Sequence, residues 1–383
     1  MRAAPALLLL ICGAVAGAAT ITVAPGEPGA IVAAAKGLQP GDTLLLTAGT
    51  YAGNIAINLR GTMEQPITIR AAGDGPVIVE GRTEMKTGWQ PVAAHPGVYV
   101  TDEAGPVAGV GLDLLDSPSG VDDLPVCRSL ADLAKAYQGH WLDAAGQRLY
   151  VRIAGGAPLP GHTVWVLRDG CGLAVTGEHV RIAGLALRRF AGQGISVSAA
   201  RDVIIEHCTV SHCGAVWSAA IQLGKTTDAT IADCVLYRAR NGVIAQDADG
   251  TRLTHNTIFH TRAHGVYLVS GSGTVLRDNI IFAGGGSGSA LYVGAPAATG
   301  LHSDHNCFLD SRTPTLVCWM PLGLRFPTFW DYQQAIAGQD EHSFSADPLF
   351  VSTTPGQEDF HLRPDSPCRL KASDGSDVGR RDR

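Results

Sequence analysis

The chain is short of charge, of aromatic residues and above all of lysine. Charged residues fill 17% of its 383 positions and aromatics 6%, whereas apolar residues fill 45%. An intrinsically disordered chain has the opposite balance, so that class is excluded. Five lysines stand against 24 arginines, and the net charge is −6. This argues against a generally basic nucleic-acid-binding protein, so any cationic surface has to be local. No apolar stretch after residue 19 is long enough to cross a bilayer as a helix. There is no CxxC pair, no Gly-x-Ser-x-Gly elbow, no phosphate loop and no HExxH helix. What the chain does have is turns, since Gly and Pro together make up about 18% of it.

The first 19 residues read as a secretory signal. Arg2 supplies a short positive start, Ala6–Val15 an apolar run too short to span a membrane, and Ala16-Gly17-Ala18 a small-x-small cleavage pattern. This predicts a secreted or periplasmic protein. Without Cys12, eight cysteines remain, at 127, 171, 208, 213, 234, 307, 318 and 368. An even number in an oxidising compartment permits disulfides, but the irregular spacing specifies no pairing.

An internal repeat of 22–27 residues organises the middle of the chain. Val180–Leu187, Val203–Val210, Ala229–Leu236, Thr251–Ile258 and Thr274–Ile281 align, and a partial copy ends at Phe308. The sixth place of each copy reads Leu185, Cys208, Cys234, Asn256, Asn279 and then Asn306. A second short run recurs later in each turn: Gly194–Val197, Ala220–Leu223, Gly242–Ala245, Gly265–Leu268 and Ala290–Val293. These runs alternate apolar and variable residues over three to five positions, which is strand periodicity. The segments between them are too short for crossover helices, so successive copies must stack as parallel strands ~4.8 Å apart. An Asn recurring inside a tight bend can bond backbone groups that its own coil leaves unpaired, and can also bond the next Asn in the stack. Cys208 and Cys234 share that inward column, either as stacked thiols or as a disulfide.

The repeat resembles the right-handed parallel β-helix superfamily that contains pectin and pectate lyases. Pro40–Tyr51, Gln65–Arg70 and Gly75–Gly81 are similar to the first coils of its chondroitinase B and alginate lyase branch. Ala346–Phe350 and Leu362–Pro367 resemble the closing segment of many bacterial members. The expected fold is all-β: a single-stranded right-handed parallel β-helix with an N-terminal helical cap, an inserted β-rich subdomain and a C-terminal cap. The expected divisions are a signal peptide at 1–19, cap and first coils at 20–82, the insertion at 83–170, regular coils at 171–310, and a C-terminal cap with a loose polar tail at 311–383. A monomer is expected.

Outward columns on such a stack form a strip along which a polymer can lie. Arg189, His212, Arg238 and His260 recur two residues after the last apolar position of successive repeats. The loops continue with Arg240, Arg262 and His264, and the strands add Gln222, Tyr267 and Tyr292. Arginine grips carboxylates bidentately, so these residues predict an acidic polysaccharide as partner. Elimination at a uronic acid needs a base for the proton α to the carboxyl group, a cation to neutralise that carboxylate, and an acid for the leaving oxygen. Lys225 is the only lysine between Lys135 and Lys371 and directly follows strand Ala220–Leu223. The lyase-branch resemblance implies a catalytic Lys nine residues before the ladder position, and Lys225 stands nine before Cys234. The same alignment puts the branch's catalytic Arg on Gln246 and its calcium-binding acids on Ser218 and Ala220. The predicted catalytic set is therefore Lys225, Arg240, His264 and Tyr267. The predicted substrate-binding set is Arg189, His212, Gln222, Arg238, His260, Arg262 and Tyr292. Asp247 and Asp249 are candidate Ca²⁺ ligands, although paired acids are also ordinary turn formers. The alternatives to a polysaccharide lyase are a non-catalytic carbohydrate-binding or surface protein and a glycoside hydrolase. The hydrolase would need two facing carboxyl groups, drawn from loop acids such as Asp113, Asp116, Asp122 and Asp123.

Overall fold

Strands this short cannot bury their apolar faces alone, so the chain winds into coils that bury them against one another. The structure, a computed structural model, describes residues 17–381 apart from 86–87, 104, 106, 113–123, 168–169, 215–217, 285–287, 310–313 and 355. Most of the expected signal segment and all four acids at 113–123 lie outside the described residues.

Each coil contributes to three parallel faces. The first runs through Ile55–Arg60, the leading halves of Leu173–Ala183 and Ile195–Glu206, and then Ala219–Thr227, Asn241–Asp249, Val266–Leu268, Leu291–Val293 and Val317–Trp319. The second continues from the trailing halves of the two long strands into Thr230–Ala232, Arg252–Thr254, Val275–Arg277 and His302–Asp304. The third is a nine-stranded sheet that includes Ala186–Phe190, Thr209–Cys213, Val235–Tyr237, Thr257–Thr261, Ile280–Ala283, Cys307–Phe308 and Phe344–Ser345. Alternation sets the burial. Ile221, Leu223, Val243, Val266, Leu268, Leu291 and Val293 point inward and are 0–1% exposed, whereas Gln222, Tyr267 and Tyr292 between them remain partly open.

The bend between the second and third faces is held by the asparagine column. Asn256 Oδ1 accepts from the Cys234 amide (3.0 Å), and its Nδ2 donates to Asn279 Oδ1 (3.0 Å) and to the Ile231 carbonyl (2.8 Å). Asn279 repeats the pattern onto Asn306, and the Asn306 amide donates to Ser343 Oγ (2.7 Å). Ser343 is a further ladder position that the sequence pattern did not reveal, because residues 310–340 interrupt the period. Cys208 and Cys234 sit in the same column as buried thiols, and all eight cysteines are free.

The coils before and after the insertion stack directly, since Ile55–Arg60 and Ile67–Ala71 both pair with Leu173–Ala183. The intervening segment folds on itself into two small antiparallel sheets with their own apolar clusters. Helix Ala30–Ala35 buries Ile31 and Ala35 over the first coils and covers an edge that would otherwise be open to pairing. At the other end, helix Phe329–Ala335 stacks Phe329 on Phe308 and buries Tyr332, whose hydroxyl donates to Asp340 (3.0 Å). No helix among the described residues is long and apolar enough to cross a membrane.

One expectation is corrected. The polar tail was predicted loose, but it is strapped to the coils. Arg381 grips Asp233 through Nε (2.8 Å) and Nη2 (2.7 Å), and Ser373 donates to Asp278 through its amide (2.6 Å) and hydroxyl (2.7 Å). Val378 is fully buried. Asp233 and Asp278 lie at coil corners and are almost fully enclosed, so they require partners, and the tail supplies them.

Candidate active site

The structure distributes the predicted site residues over three places. The first is a cluster on the outer side of the first face. Register aligns Ser196, Gln222, Ile244, Tyr267, Tyr292 and Cys318 in one column, and the antiparallel strand Leu324–Phe326 sets Arg325 beside Cys318. The Tyr267 and Tyr292 rings meet edge to face with centroids 4.5 Å apart. His264 lies 4.8 Å from the Tyr267 ring and 5.1 Å from the Tyr292 ring. Gln193 donates to Gln222 (2.7 Å) lower in the column.

His264 is fixed at both ends. Its backbone amide donates to Asn241 Oδ1 (3.0 Å), while Asn241 Nδ2 donates to the Ser218 carbonyl (2.8 Å). Its Nδ1 receives the Ser289 amide (3.2 Å) and touches Ser289 Oγ (2.9 Å), whose proton goes to the Leu291 carbonyl. An amide N–H can only donate, so Nδ1 is the acceptor and Nε2 carries the proton. Burial, then Arg240, then Arg325 push the imidazole down to about 4, so it is neutral at ordinary pH. At ordinary pH His264 thus offers a neutral Nε2–H hydrogen bond rather than a positive charge. Burial and the neighbouring Tyr292 hold the Tyr267 phenol above its usual range. Arg262 lies in the adjoining loop, where Nη2 donates to the Gly214 carbonyl. Arg325, Ser289 and Gln193 complete the site and were missed in the sequence. Ser289 was within reach of the repeat register. Arg325 had no signal, because it arrives on a reversed strand after the period is lost.

The second place is the third face. Arg189, His212, Arg238 and His260 do form a column, each within or just after a third-face strand and each with left-handed backbone (φ 62°, 54°, 51° and 52°). This column is not continuous with the first face's tyrosines, and much of it is sealed. Phe350 and Phe360 from the C-terminal hairpin pack on Phe259, and Phe360 also packs on Tyr237. Arg238 pairs with Glu358 (2.9 Å), with side chains 4% and 10% exposed. Arg188 and Arg189 both reach Glu80. His212 is held down to about 3 by burial and by the surrounding arginines. His260 stacks flat on Phe259 (4.5 Å) and is lowered by burial and Arg238. The single predicted strip is thus two separate columns.

The third place is the turn between the first and second faces. Lys225 has φ 54° there and is exposed, bordering a shallow depression with Arg60, Glu178 and Arg201. It lies three residues beyond Gln222, roughly 10 Å along the strand, and two coils, again roughly 10 Å, from Tyr267. Asp247 and Asp249 occupy the same turn one coil on. Asp247 accepts from Ser270 Oγ (2.7 Å) and Asp249 from Ser272 Oγ (2.8 Å), and both are exposed. These are side-chain bonds to the next coil, 23 residues on, and neither acid joins a three-donor group among the described residues.

Residues 170–320 match the family described as right handed beta helix region. No curated protein matches the chain. Among solved structures, the complex of XylC with xylose superposes with a TM-score of 0.52 at 14% identity, over 74% of this chain and 62% of that one. A glycoside hydrolase gives a TM-score of 0.50 at 12% identity, over 78% of this chain and 89% of that one. The chain thus spans under two thirds of XylC. At such identities the likeness establishes the fold alone, a right-handed parallel β-helix.

Proposed function

We propose that the protein is a carbohydrate-active enzyme, a lyase that cleaves a uronic-acid-containing polysaccharide by β-elimination at the Tyr267–Tyr292–His264 cluster. The observation that carries this reading is the pairing of a neutral, amide-locked imidazole with two phenols, while the charges that depress it are both guanidiniums. Arg240 and Arg325 neutralise the uronate carboxylate, and the His264 Nε2–H hydrogen-bonds the oxyanion that develops on it. Burial and Tyr292 keep Tyr267 a phenol near neutrality, so it is the phenolate formed by loss of its proton to solvent at alkaline pH that takes the proton from the carbon α to the carboxyl group, and activity rises with pH. That electron pair forms the carbon–carbon double bond as the glycosidic C–O bond breaks, and the Tyr292 phenol protonates the departing oxygen. Gln222 and Gln193 lie two and three coils from Tyr267 along the same face and extend the binding strip. Lys225 has no part in this reading, because it lies too far from the cluster to reach the same carbon. Secretion, expected from the first 19 residues, agrees with a polymeric substrate that stays outside the cell.

The test is ultraviolet absorbance of the protein with pectate, alginate, chondroitin sulfate and heparan sulfate. A rise in the unsaturated-uronate band that is lost in Tyr267→Phe is the expected result. New reducing ends without that band would replace the lyase with a hydrolase. Salt-sensitive binding without any cleavage would leave a carbohydrate-binding protein.

A further inference from the structure

The residue immediately before each ladder position forms its own column at the corner between the second and third faces. Register aligns His207, Asp233, His255, Asp278, His305 and His342. The first five have left-handed backbone, with φ between 52° and 61°, which short polar side chains tolerate best. Their chemistry alternates, imidazole then carboxylate. The alternation serves charge pairing: His255 Nε2 lies 3.6 Å from Asp278 Oδ2, and Asp233 takes Arg381. At the last step the alternation fails. His342 follows His305, and the two imidazoles stack with centroids 4.9 Å apart and planes 21° from parallel.

A carboxylate from outside the column stands between them. Asp304 Oδ2 lies 2.8 Å from His342 Nδ1 and 3.2 Å from His305 Nδ1. The His305 Nδ1 atom is buried and, despite that short distance, makes no hydrogen bond. A buried imidazole nitrogen that makes no hydrogen bond to a carboxylate 3.2 Å away has a lone pair that a metal ion can take. One atom from each of the three side chains lies within 4.8 Å of the other two, and this is the one such group among the described residues.

We propose that Asp304, His305 and His342 bind a divalent transition-metal ion of the zinc class. Zinc holds nitrogen and carboxylate oxygen at about 2.0–2.2 Å in a tetrahedron, which sets its donors about 3.3 Å apart. The His305 separation already fits that value, and the His342 separation needs only a small outward movement of a side chain that is 65% exposed. Two imidazoles with one carboxylate favour such an ion over calcium or magnesium, which take all-oxygen sets. The second carboxylate oxygen is already engaged, since Asp304 Oδ1 accepts the His342 amide (2.7 Å), and this orients Oδ2 toward the imidazoles. Water completes the tetrahedron on the exposed side. The site joins strand His302–Asp304 of the last full coil to the segment leading into Phe344–Ser345, so the ion staples the C-terminal cap onto the coil stack. It is separate from the tyrosine cluster and does not depend on any catalytic activity.

The test uses tag-free protein stripped with chelator, Zn²⁺ as the added probe, and two readouts, calorimetric stoichiometry and melting temperature. Binding of one ion per chain with a rise in melting temperature is expected, and Ca²⁺ at the same concentration should produce neither. His342→Ala, at an exposed side chain, and Asp304→Asn should each lower the affinity at least tenfold, whereas His361→Ala, in the His361–Asp359 pair outside the cluster, should leave it unchanged. No zinc uptake by the wild-type chain would overturn the proposal, as would full uptake by His342→Ala.

Discussion

Two columns of basic residues run along the same coil stack and have opposite fates. On the third face, Arg238 finds Glu358, Arg188 and Arg189 find Glu80, and an aromatic hairpin closes over Phe259 and Tyr237. On the first face, Arg240 and Arg325 converge on His264 and no carboxylate is among the charges that shift it. Residue type does not separate the two columns. The difference lies in whether the chain supplies its own anions. A neutralised, covered column is structural, whereas the first-face arginines beside half-open tyrosines are where the proposed function places an anionic ligand.

The largest expected effects sharpen that contrast through activity. Tyr267→Phe should lower kcat on the polyuronate that proves to be the substrate by about 100-fold or more, the usual worth of a positioned acid–base group. The melting temperature of this variant should stay close to that of the parent. A variant with full activity would move the chemistry away from the first face. On the third face the order inverts: Glu358→Ala should leave turnover per folded molecule nearly intact but cost about 3 kcal/mol in denaturant unfolding, because it strips the carboxylate from buried Arg238. A similar loss, about 3 kcal/mol, is expected for Asn279→Ala, which removes Nδ2 bonds to Leu253, Arg277 and Asn306 and the acceptor for the Asn256 amide.

Acid should weaken the sealed column. His212 titrates near 3 in the folded chain but near its ordinary value of 6.5 when unfolded, so between those values the unfolded chain holds more protons. The stability that comes from keeping His212 neutral is fully present above pH 6.5 and is lost as pH falls through that window. Melting temperature should therefore decline on acidification from about pH 6.5 toward 4, and His212→Gln should flatten the slope. The smallest expected effect is at Lys225. Replacing this exposed turn residue with Ala should change both activity and melting temperature little, within about 0.5 kcal/mol. A large activity loss there would restore the role that the lyase-branch resemblance implies.

Much of this architecture was legible in the residues. The two-residue period placed Gln222, Tyr267 and Tyr292 on one outer column, and the Asn256–Asn279–Asn306 spacing marked the bend that they hold. Neighbour-on-neighbour stacking makes such inferences local, since each coil reports only on the next. The merging of two columns into one strip was an error of the same local origin: spacing places a residue on a face but does not reveal what later covers it. Glu358 and Arg381 come from beyond the interrupted stretch at 310–340, and Arg381 meets Asp233 across 148 residues. No periodicity spans that gap, so neither the sealing of the third face nor the strapping of the tail had a sequence signal.

By itself the sequence determined the coil, its handed stacking by resemblance, the ladder and the side of each strand that faces out, because alternation and repeat length are properties of neighbouring residues. Tertiary structure alone decided which arginines are spent on internal carboxylates, which imidazole is locked neutral by Ser289, and where Asp304 meets two stacked histidines. Those outcomes depend on burial and on contacts between segments far apart in the chain, and both are set only when the coils close on one another.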